Sequence, residues 1–249
     1  MRPWPELRFR SAVLVHGAGG GGWEWTVWGR VLAAAGMEVL APDLQPRADG
    51  LVATALDDYA AQVDRWLRAA PRPRLLAGAS LGGLLALMRA ALADALVLVN
   101  PIPPEGLPGA VAGERSGRVP WGRTASPAGT RRALPDADAA TCAWAWRRWR
   151  DESARVLAEA RAGRDCEVPV CPVLVIASAQ DPDVPTAVSV ALAGRLGASV
   201  LRVPGSHVGP LLGRGAAGIA AQAVEWMNTL AMTPSGEGRI KGRLRPSGR

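Results

Sequence analysis

Cysteine and histidine are scarce in this chain of 249 residues, and tyrosine and phenylalanine occur once each. The three cysteines are an odd number and contain no CxxC pair, which argues against a disulfide framework and against a cysteine-based zinc site. Histidine-dependent chemistry has two candidate residues, His16 and His207. We therefore expect no bound metal ion.

Long uncharged apolar runs are also missing. A membrane span needs roughly 18 or more such residues, and Arg89 and Asp94 interrupt the best candidate segment. The N-terminal sequence MRPWPELRFR carries charges where a signal peptide needs an apolar stretch. We expect a soluble, cytoplasmic protein that does not interact with membranes.

Acidic residues are outnumbered, with 29 basic and 22 acidic side chains and a formal net charge of +7. Much of the excess lies in residues 233–249, which carry five basic side chains and one glutamate. The remainder of the chain is close to the charge of an ordinary soluble domain. We therefore predict a disordered basic tail at 233–249 and expect no nucleic-acid partner.

Short apolar runs alternate with amphipathic segments, the pattern of parallel βα units. The pattern breaks after residue 101 and returns near residue 170. We predict an α/β fold with a mainly parallel sheet of about six strands, divided into a first core part (1–101), an inserted helical cap (102–169) and a second core part (170–232). The predicted strands are 12–16, 38–41, 74–79, 96–100, 173–177 and 199–203; the predicted helices are 25–35, 57–69, 82–93, 136–162, 186–196 and 216–232.

The sequence GASLG at residues 78–82 matches the G-x-S-x-G motif between a predicted strand and a predicted helix, which is the context this motif requires. Such a tight turn strains the backbone of Ser80, while Gly78 and Gly82 let neighbouring backbone approach closely. The hydroxyl of Ser80 then stands at the N-terminus of a helix. We predict that Ser80 is a nucleophile; a simple Gly/Ser turn is the alternative.

A serine hydroxyl needs a base, and that base needs an acid to orient it. His207 follows the last predicted strand, where it can reach a serine at another strand's end. Asp181 follows the strand before it and is our choice for the acid, with Asp183 as the alternative. The order Ser80, Asp181, His207 is the nucleophile–acid–base order of α/β hydrolases.

An acyl-transfer site also needs backbone N–H groups that face the developing oxyanion. Leu81, directly after the nucleophile, is one predicted donor, and Ala18 in the glycine-rich loop after the first strand is the other. His16 lies too close to the first strand to be our choice of base. We expect it to brace the loop through hydrogen bonds.

With these motifs in place, residues 11–232 resemble the α/β-hydrolase superfamily, through HGAGGGGW, GASLGG, SAQDPDVP and GSHVGP. Within the superfamily, VLVHGAGGGGWEW followed by VLAAAGMEVLAPDL looks like the branch of small methylesterases and hydroxynitrile lyases. The resemblance implies a cap between two core strands, and little room remains before the first strand for the two antiparallel strands that usually open the fold. The lyases carry lysine after the histidine, whereas this chain has Val208, which favours hydrolysis.

Two other classes of function compete with this interpretation. The glycine run Gly17–Gly22 also satisfies G-x-G-x-x-G after a strand, with Asp43 at the end of the next strand, so an NAD(P)-dependent oxidoreductase is one alternative. A hydrolase fold that binds ligands without catalysis is another. The oxidoreductase hypothesis leaves Ser80, Asp181 and His207 without a role.

The tryptophans of the cap and of the glycine-rich loop have two possible roles: packing against the core, or walls of a substrate pocket. We assign to substrate binding Gly17, Gly19, Trp23, Trp146 and Trp149. The prediction as a whole is a cofactor-independent hydrolase of small-molecule carboxylic esters. A thioesterase, lactonase or amidase with the same triad remains an alternative.

Overall fold

The computed structural model describes residues 8–107 and 117–231, so the predicted tail at 233–249 lies outside the described residues. The strands are β1 (Ser11–Val15), β2 (Glu38–Leu40), β3 (Arg74–Ala79), β4 (Ala95–Val99), β5 (Arg118–Val119), β6 (Glu152–Ser153), β7 (Val173–Ser178) and β8 (Ser199–Val203). Six of the strands in this part of the chain are parallel and form one sheet, in the order β2-β1-β3-β4-β7-β8. The helices are α1 (Thr26–Ala34), α2 (Leu56–Ala69), α3 (Leu81–Met88), α4 (Pro127–Ala133), α5 (Ala139–Trp146), α6 (Ala154–Arg161), α7 (Thr186–Leu196), α8 (Gly209–Leu212) and α9 (Ala216–Ala231).

The central strands are continuous apolar runs because helices cover both faces of the sheet. Every residue of β1, β3, β4 and β7 is buried, whereas the edge strands β2 and β8 are partly exposed. Two hydrophobic clusters lie against the two faces of the sheet. The predicted parallel α/β sheet is confirmed.

The direction of strand progression reverses beside β1, which pairs with β2 on one side and with β3 on the other. In open α/β sheets a ligand crevice forms where this reversal occurs, at the carboxyl ends of the strands. The loop after β1 and the turn after β3 are therefore neighbours at that edge. No strand precedes β1 in the part of the chain that begins at residue 8.

The predicted single helix at 136–162 is wrong. The chain forms α5 and α6, which are separated by the short strand β6 that pairs with β5. Asp138 starts α5 by accepting the Thr141 N–H at 2.7 Å, and Ser153 starts α6 by accepting the Val156 N–H at 3.3 Å. Between the helices, the Arg150 N–H donates to the Gly19 carbonyl at 2.7 Å. This long-range contact with the loop after β1 overrides the local helical pattern.

Residues 102–169, which lie between β4 and β7, are called the cap segment below. Elsewhere the predicted helices agree with the structure to within a few residues, although α3 ends at Met88 and a short 3-10 helix follows at Ala90–Leu92. Within the described residues, no helix has both the length and the apolar character that spanning a membrane requires.

Candidate active site

The turn after β3 holds Ser80 in a strained backbone conformation, with φ of 53° and ψ of −117°. A Cβ atom at Gly78 would lie 2.1 Å from the Gly82 carbonyl oxygen, and one at Gly82 would lie 2.2 Å from the Val15 carbonyl oxygen. Both positions therefore require glycine for steric reasons. The turn has the sharp strand–helix geometry that the motif predicts, with Ser80 directly before α3.

A histidine and a carboxylate meet at the ends of two other strands. Nδ1 of His207 lies 2.7 Å from Oδ2 of Asp181, whose side chain is fully buried. The second oxygen, Oδ1, accepts the N–H groups of Asp183 and Val184 at 2.8 and 2.9 Å. The carboxylate is therefore fixed in place, and Asp183 contributes its backbone to this arrangement while its side chain stays exposed.

The Asp181 contact sets the state of the imidazole. Burial alone lowers the pKa of His207, but the hydrogen bond and negative charge of Asp181 outweigh it, so the pKa lies above its usual value. With Nδ1–H donated to Asp181, the lone pair of Nε2 is left to accept a proton. Nε2 has no hydrogen-bond partner among the residues described.

Two residues that the sequence analysis missed hold the His207 loop. Nδ2 of Asn100, directly after β4, donates to the His207 carbonyl at 2.7 Å and to Ser178 Oγ at 2.9 Å. From the cap segment, the Asp136 carboxylate accepts the Ser206 N–H at 2.6 Å. Asn100 adopts a positive φ of 43°, but no motif in the sequence distinguishes either residue from an ordinary loop position.

The glycine-rich loop after β1 lies beside the Ser80 turn, because a Cβ on Gly17 would be 3.4 Å from Ser80 Cβ. The N–H groups of Ala18 and Leu81 donate to no other group in the described part of the chain. Nδ1 of His16 donates to the Gly17 carbonyl at 2.7 Å, and its Nε2 accepts the Leu44 N–H at 2.8 Å. Its two hydrogen bonds brace the loop, as the sequence predicted, and burial lowers the pKa of His16 to about 4, so the ring is neutral.

A cavity of about 570 Å³ opens above Ser80, and both Ser80 and His207 line it. The cap segment supplies much of its wall, including Trp121 and Trp149. Apolar residues of the cap segment, Ile102 and Leu157, and of the second core part, Val184, Val208 and Leu211, also line the cavity. Two arginines of the cap segment, Arg132 and Arg161, reach it as well.

The five residues assigned to substrate binding separate into two groups. Gly17 and Trp149 line the cavity, whereas Gly19, Trp23 and Trp146 do not. The Gly19 N–H donates to Glu152 at 3.2 Å, and Trp23 packs edge-on against Trp149 with ring centroids 5.1 Å apart. Trp146 is the last residue of α5 and lies beside the Arg147 guanidinium. Gly19 and Trp23 therefore lie behind the cavity wall, next to the wall residues Trp121 and Trp149, while Trp146 has no contact with the cavity among those described.

Glu24 also lines the cavity, and the sequence analysis missed it. Its side chain is buried, and Oε2 accepts the Gly17 N–H at 3.2 Å. Desolvation raises the pKa of Glu24 to about 8. A usable signal exists in the sequence, since Glu24 is the one formally charged residue between positions 11 and 29.

The glycine loop is poorly suited to a dinucleotide. Asp43, the residue that would bind a ribose, accepts the Gly22 N–H at 2.7 Å and faces Arg150 at 3.5 Å. A Cβ atom on Gly20 would lie only 2.4 Å from the Glu24 carboxyl group, so this carboxyl fills the space beside the loop. A pyrophosphate in this loop would therefore meet a buried acid instead of an open nest of N–H groups.

Ligand atoms of Asp181, Asp183 and His207 lie within 4.8 Å of one another, a spacing that a metal ion could use. However, Nδ1 of His207 and both oxygens of Asp181 are already engaged in hydrogen bonds. The donor set therefore fits an oriented acid–base pair better than a cation site.

A parallel sheet with a strained serine turn after β3 and a histidine–aspartate pair after β7 and β8 is the architecture of α/β hydrolases. The sequence matches the model of the alpha/beta hydrolase family over residues 12–222, and the chain belongs to that family. No curated protein matches the sequence.

Solved structures with a similar fold include a pyrethroid hydrolase from Sphingobium faniae JZ-2, with a TM-score of 0.68, 19% identity, and coverage of 91% of this chain and 98% of that chain. A thermophilic esterase from Thermogutta terrifontis has a TM-score of 0.64 and 18% identity, covering 89% and 90%. The methylesterase MES16 from Arabidopsis has a TM-score of 0.63 and 17% identity, covering 89% and 98%. These likenesses establish the shared fold.

Proposed function

We propose that the protein hydrolyses carboxylic esters through an acyl-enzyme on Ser80, with His207 as base and Asp181 as the acid that orients it. The observation that carries the proposal is the opening of one cavity onto both Ser80 and the His207–Asp181 pair. The names of the three structural neighbours, which include an esterase and a methylesterase, support the choice of an ester.

In this mechanism Nε2 of His207 removes the hydroxyl proton as Ser80 Oγ attacks the ester carbonyl. The carbonyl oxygen becomes negative and takes hydrogen bonds from the N–H groups of Ala18 and Leu81. His207 then protonates the leaving alcohol, which departs and leaves an acyl group on Ser80. A water molecule, deprotonated by His207, attacks the acyl-enzyme and releases the acid.

The cap segment (102–169) is proposed as the part of the chain that selects substrates. Its Trp121 and Trp149 give the cavity an aromatic wall suited to apolar acyl or alcohol groups. Arg132 and Arg161 bring positive charge to the same cavity. A panel of p-nitrophenyl esters should therefore vary acyl length and include hemiesters that carry a free carboxylate.

The first test replaces the nucleophile. Ser80→Ala should abolish turnover of p-nitrophenyl acetate and butyrate, because no other hydroxyl takes its position at the strained turn. Labelling with a fluorophosphonate probe should occur in the parent protein and disappear in the variant, while circular dichroism stays unchanged. Undiminished activity of a folded Ser80→Ala protein contradicts the proposed function.

A further inference from the structure

Glu24 is an acid inside the candidate active site that the mechanism above does not use. It belongs to a short 3-10 helix (Gly22–Trp25) that follows the glycine-rich loop, and its side chain turns back under that loop. A Cβ atom placed on Gly17 would lie 4.0 Å from Oε2 of Glu24 and 3.4 Å from Cβ of Ser80. The carboxyl and the proposed nucleophile therefore border the same small volume.

The contacts of Glu24 tie it to the oxyanion side of the site. Oε2 accepts the N–H of Gly17, the residue before the proposed donor Ala18, and the carboxyl fills the space beside Gly20. Removing this carboxyl would leave the Gly17 N–H without its acceptor and open a gap beside Gly20. Glu24 thus fixes the backbone from which the Ala18 N–H is presented.

The charge environment of Glu24 favours the neutral acid. No ion pair reaches it within the described residues, and a buried carboxylate without a cation is costly. The charged and titratable groups that act on it are His207, Arg150 and Asp43, and they are weaker influences than burial and the Gly17 hydrogen bond. Burial raises the pKa of Glu24 to about 8, so the carboxyl is protonated at neutral pH.

We propose that Glu24 is a positioning residue of this ester-hydrolase site, and that it supports catalysis as the neutral carboxylic acid and opposes it once ionised. The inference rests on the proposed function. As the neutral acid, Glu24 holds the loop while adding no charge beside the oxyanion. As a carboxylate, it places a second negative charge next to the oxygen that becomes negative during attack, and this destabilises the tetrahedral intermediate.

The test compares pH profiles of kcat/KM from pH 6 to 9.5, using p-nitrophenyl butyrate with buffer blanks subtracted. Once His207 has lost its proton, kcat/KM of the parent should fall about fivefold between pH 8 and pH 9, as expected for a required acid that ionises near pH 8. Glu24→Gln keeps a neutral side chain of the same shape, so it should retain activity at pH 7 and stay active at pH 9. Glu24→Ala should lose kcat across the whole range, and Glu225→Gln, an exposed change on α9, should follow the parent.

An unchanged alkaline loss in Glu24→Gln, or a folded Glu24→Gln protein that is inactive at pH 7, overturns the inference. Infrared difference spectra provide a readout independent of turnover. The carbonyl stretch of a protonated carboxylic acid should be lost between pH 7 and pH 9 in the parent and be missing from Glu24→Gln. A parent that turns over no ester contradicts the proposed function, whereas a missing infrared band at pH 7 contradicts the neutral state of Glu24.

Discussion

Asp181 and Asp183 are two residues apart, but their side chains have different environments. Asp181 is buried with both oxygens engaged, one by His207 and the other by two backbone N–H groups. The side chain of Asp183 is exposed and influences His207 through its charge alone. An acid that orients a base must hold one geometry, and Asp181 meets that requirement.

Replacing each of these aspartates in turn tests the assignment. Asp181→Asn should lower kcat/KM by about 10³- to 10⁴-fold, because an amide at this position favours the wrong imidazole tautomer. Asp183→Asn should cost less than about 10-fold, since it removes a solvent-screened charge. Steady-state kinetics on p-nitrophenyl butyrate measures both values, and a larger loss in Asp183→Asn would transfer the acid role to that residue.

Residues within a local motif could be found from the sequence, and residues that act through distant contacts could not. Ser80 stands in a five-residue pattern whose flanking strand and helix are visible in the sequence, and His207 was one of two histidines. Asn100 and Asp136 reach the His207 loop across 107 and 70 positions of the chain, respectively. Their partners are defined by the folded sheet and the cap segment, and nothing local indicates them.

At the scale of elements, burial decided which predictions succeeded. Strands such as β3 and β4 are buried on both faces, so their continuous apolar runs stand out in the sequence. The region of α5 and α6 shows a helical pattern throughout, but the chain between them turns inward. There Arg150 donates to the Gly20 carbonyl at 2.7 Å, and Glu152 accepts the Tyr59 hydroxyl at 2.9 Å. These tertiary contacts break what periodicity alone predicts to be a single helix.

Replacing glycine by alanine should have opposite effects on stability at the Ser80 turn and on the exposed face of α9. Gly82→Ala should prevent stable folding, because its Cβ would lie 2.2 Å from the Val15 carbonyl of β1. Gly218→Ala, on an exposed position of α9 with no heavy atom within 4 Å of the new Cβ, should raise the free energy of unfolding by about 0.5–1 kcal/mol. Urea unfolding of the purified variants measures both effects, and a destabilised Gly218→Ala would contradict the helix argument.

At the scale of the whole molecule, His16, Glu24 and His207 contribute to the pH dependence of stability. The pKa of His16 falls from 6.5 to about 4 on folding, so its contribution is complete above pH 6.5 and is lost as the pH falls toward 4. The pKa of Glu24 rises from 4.5 to about 8, so the native state loses stability as the pH rises between these values. The raised pKa of His207 acts in the same direction above pH 6.5.

These directions identify the pH range in which the contribution of Glu24 to the free energy of unfolding can be measured separately from that of His16. Between pH 4.5 and 6.5 the effects of His16 and Glu24 oppose each other, whereas above pH 6.5 the Glu24 term is no longer offset by His16. The free energy of unfolding of the parent should fall from pH 6.5 to pH 8, with about 2 kcal/mol of the fall due to Glu24. Glu24→Gln should remove that part of the slope and retain the decline from His207.

Urea unfolding at pH 6.5, 7.25 and 8 measures the slope, with Glu225→Gln as the matched control because that carboxylate is exposed on α9. If Glu24→Gln and the parent decline in parallel, the carboxyl is already ionised in the folded protein at pH 6.5. That result would place an unpaired negative charge beside Ser80 throughout the neutral range. The oxyanion would then form against that charge, and the loop after β1 could not serve the chemistry proposed for it.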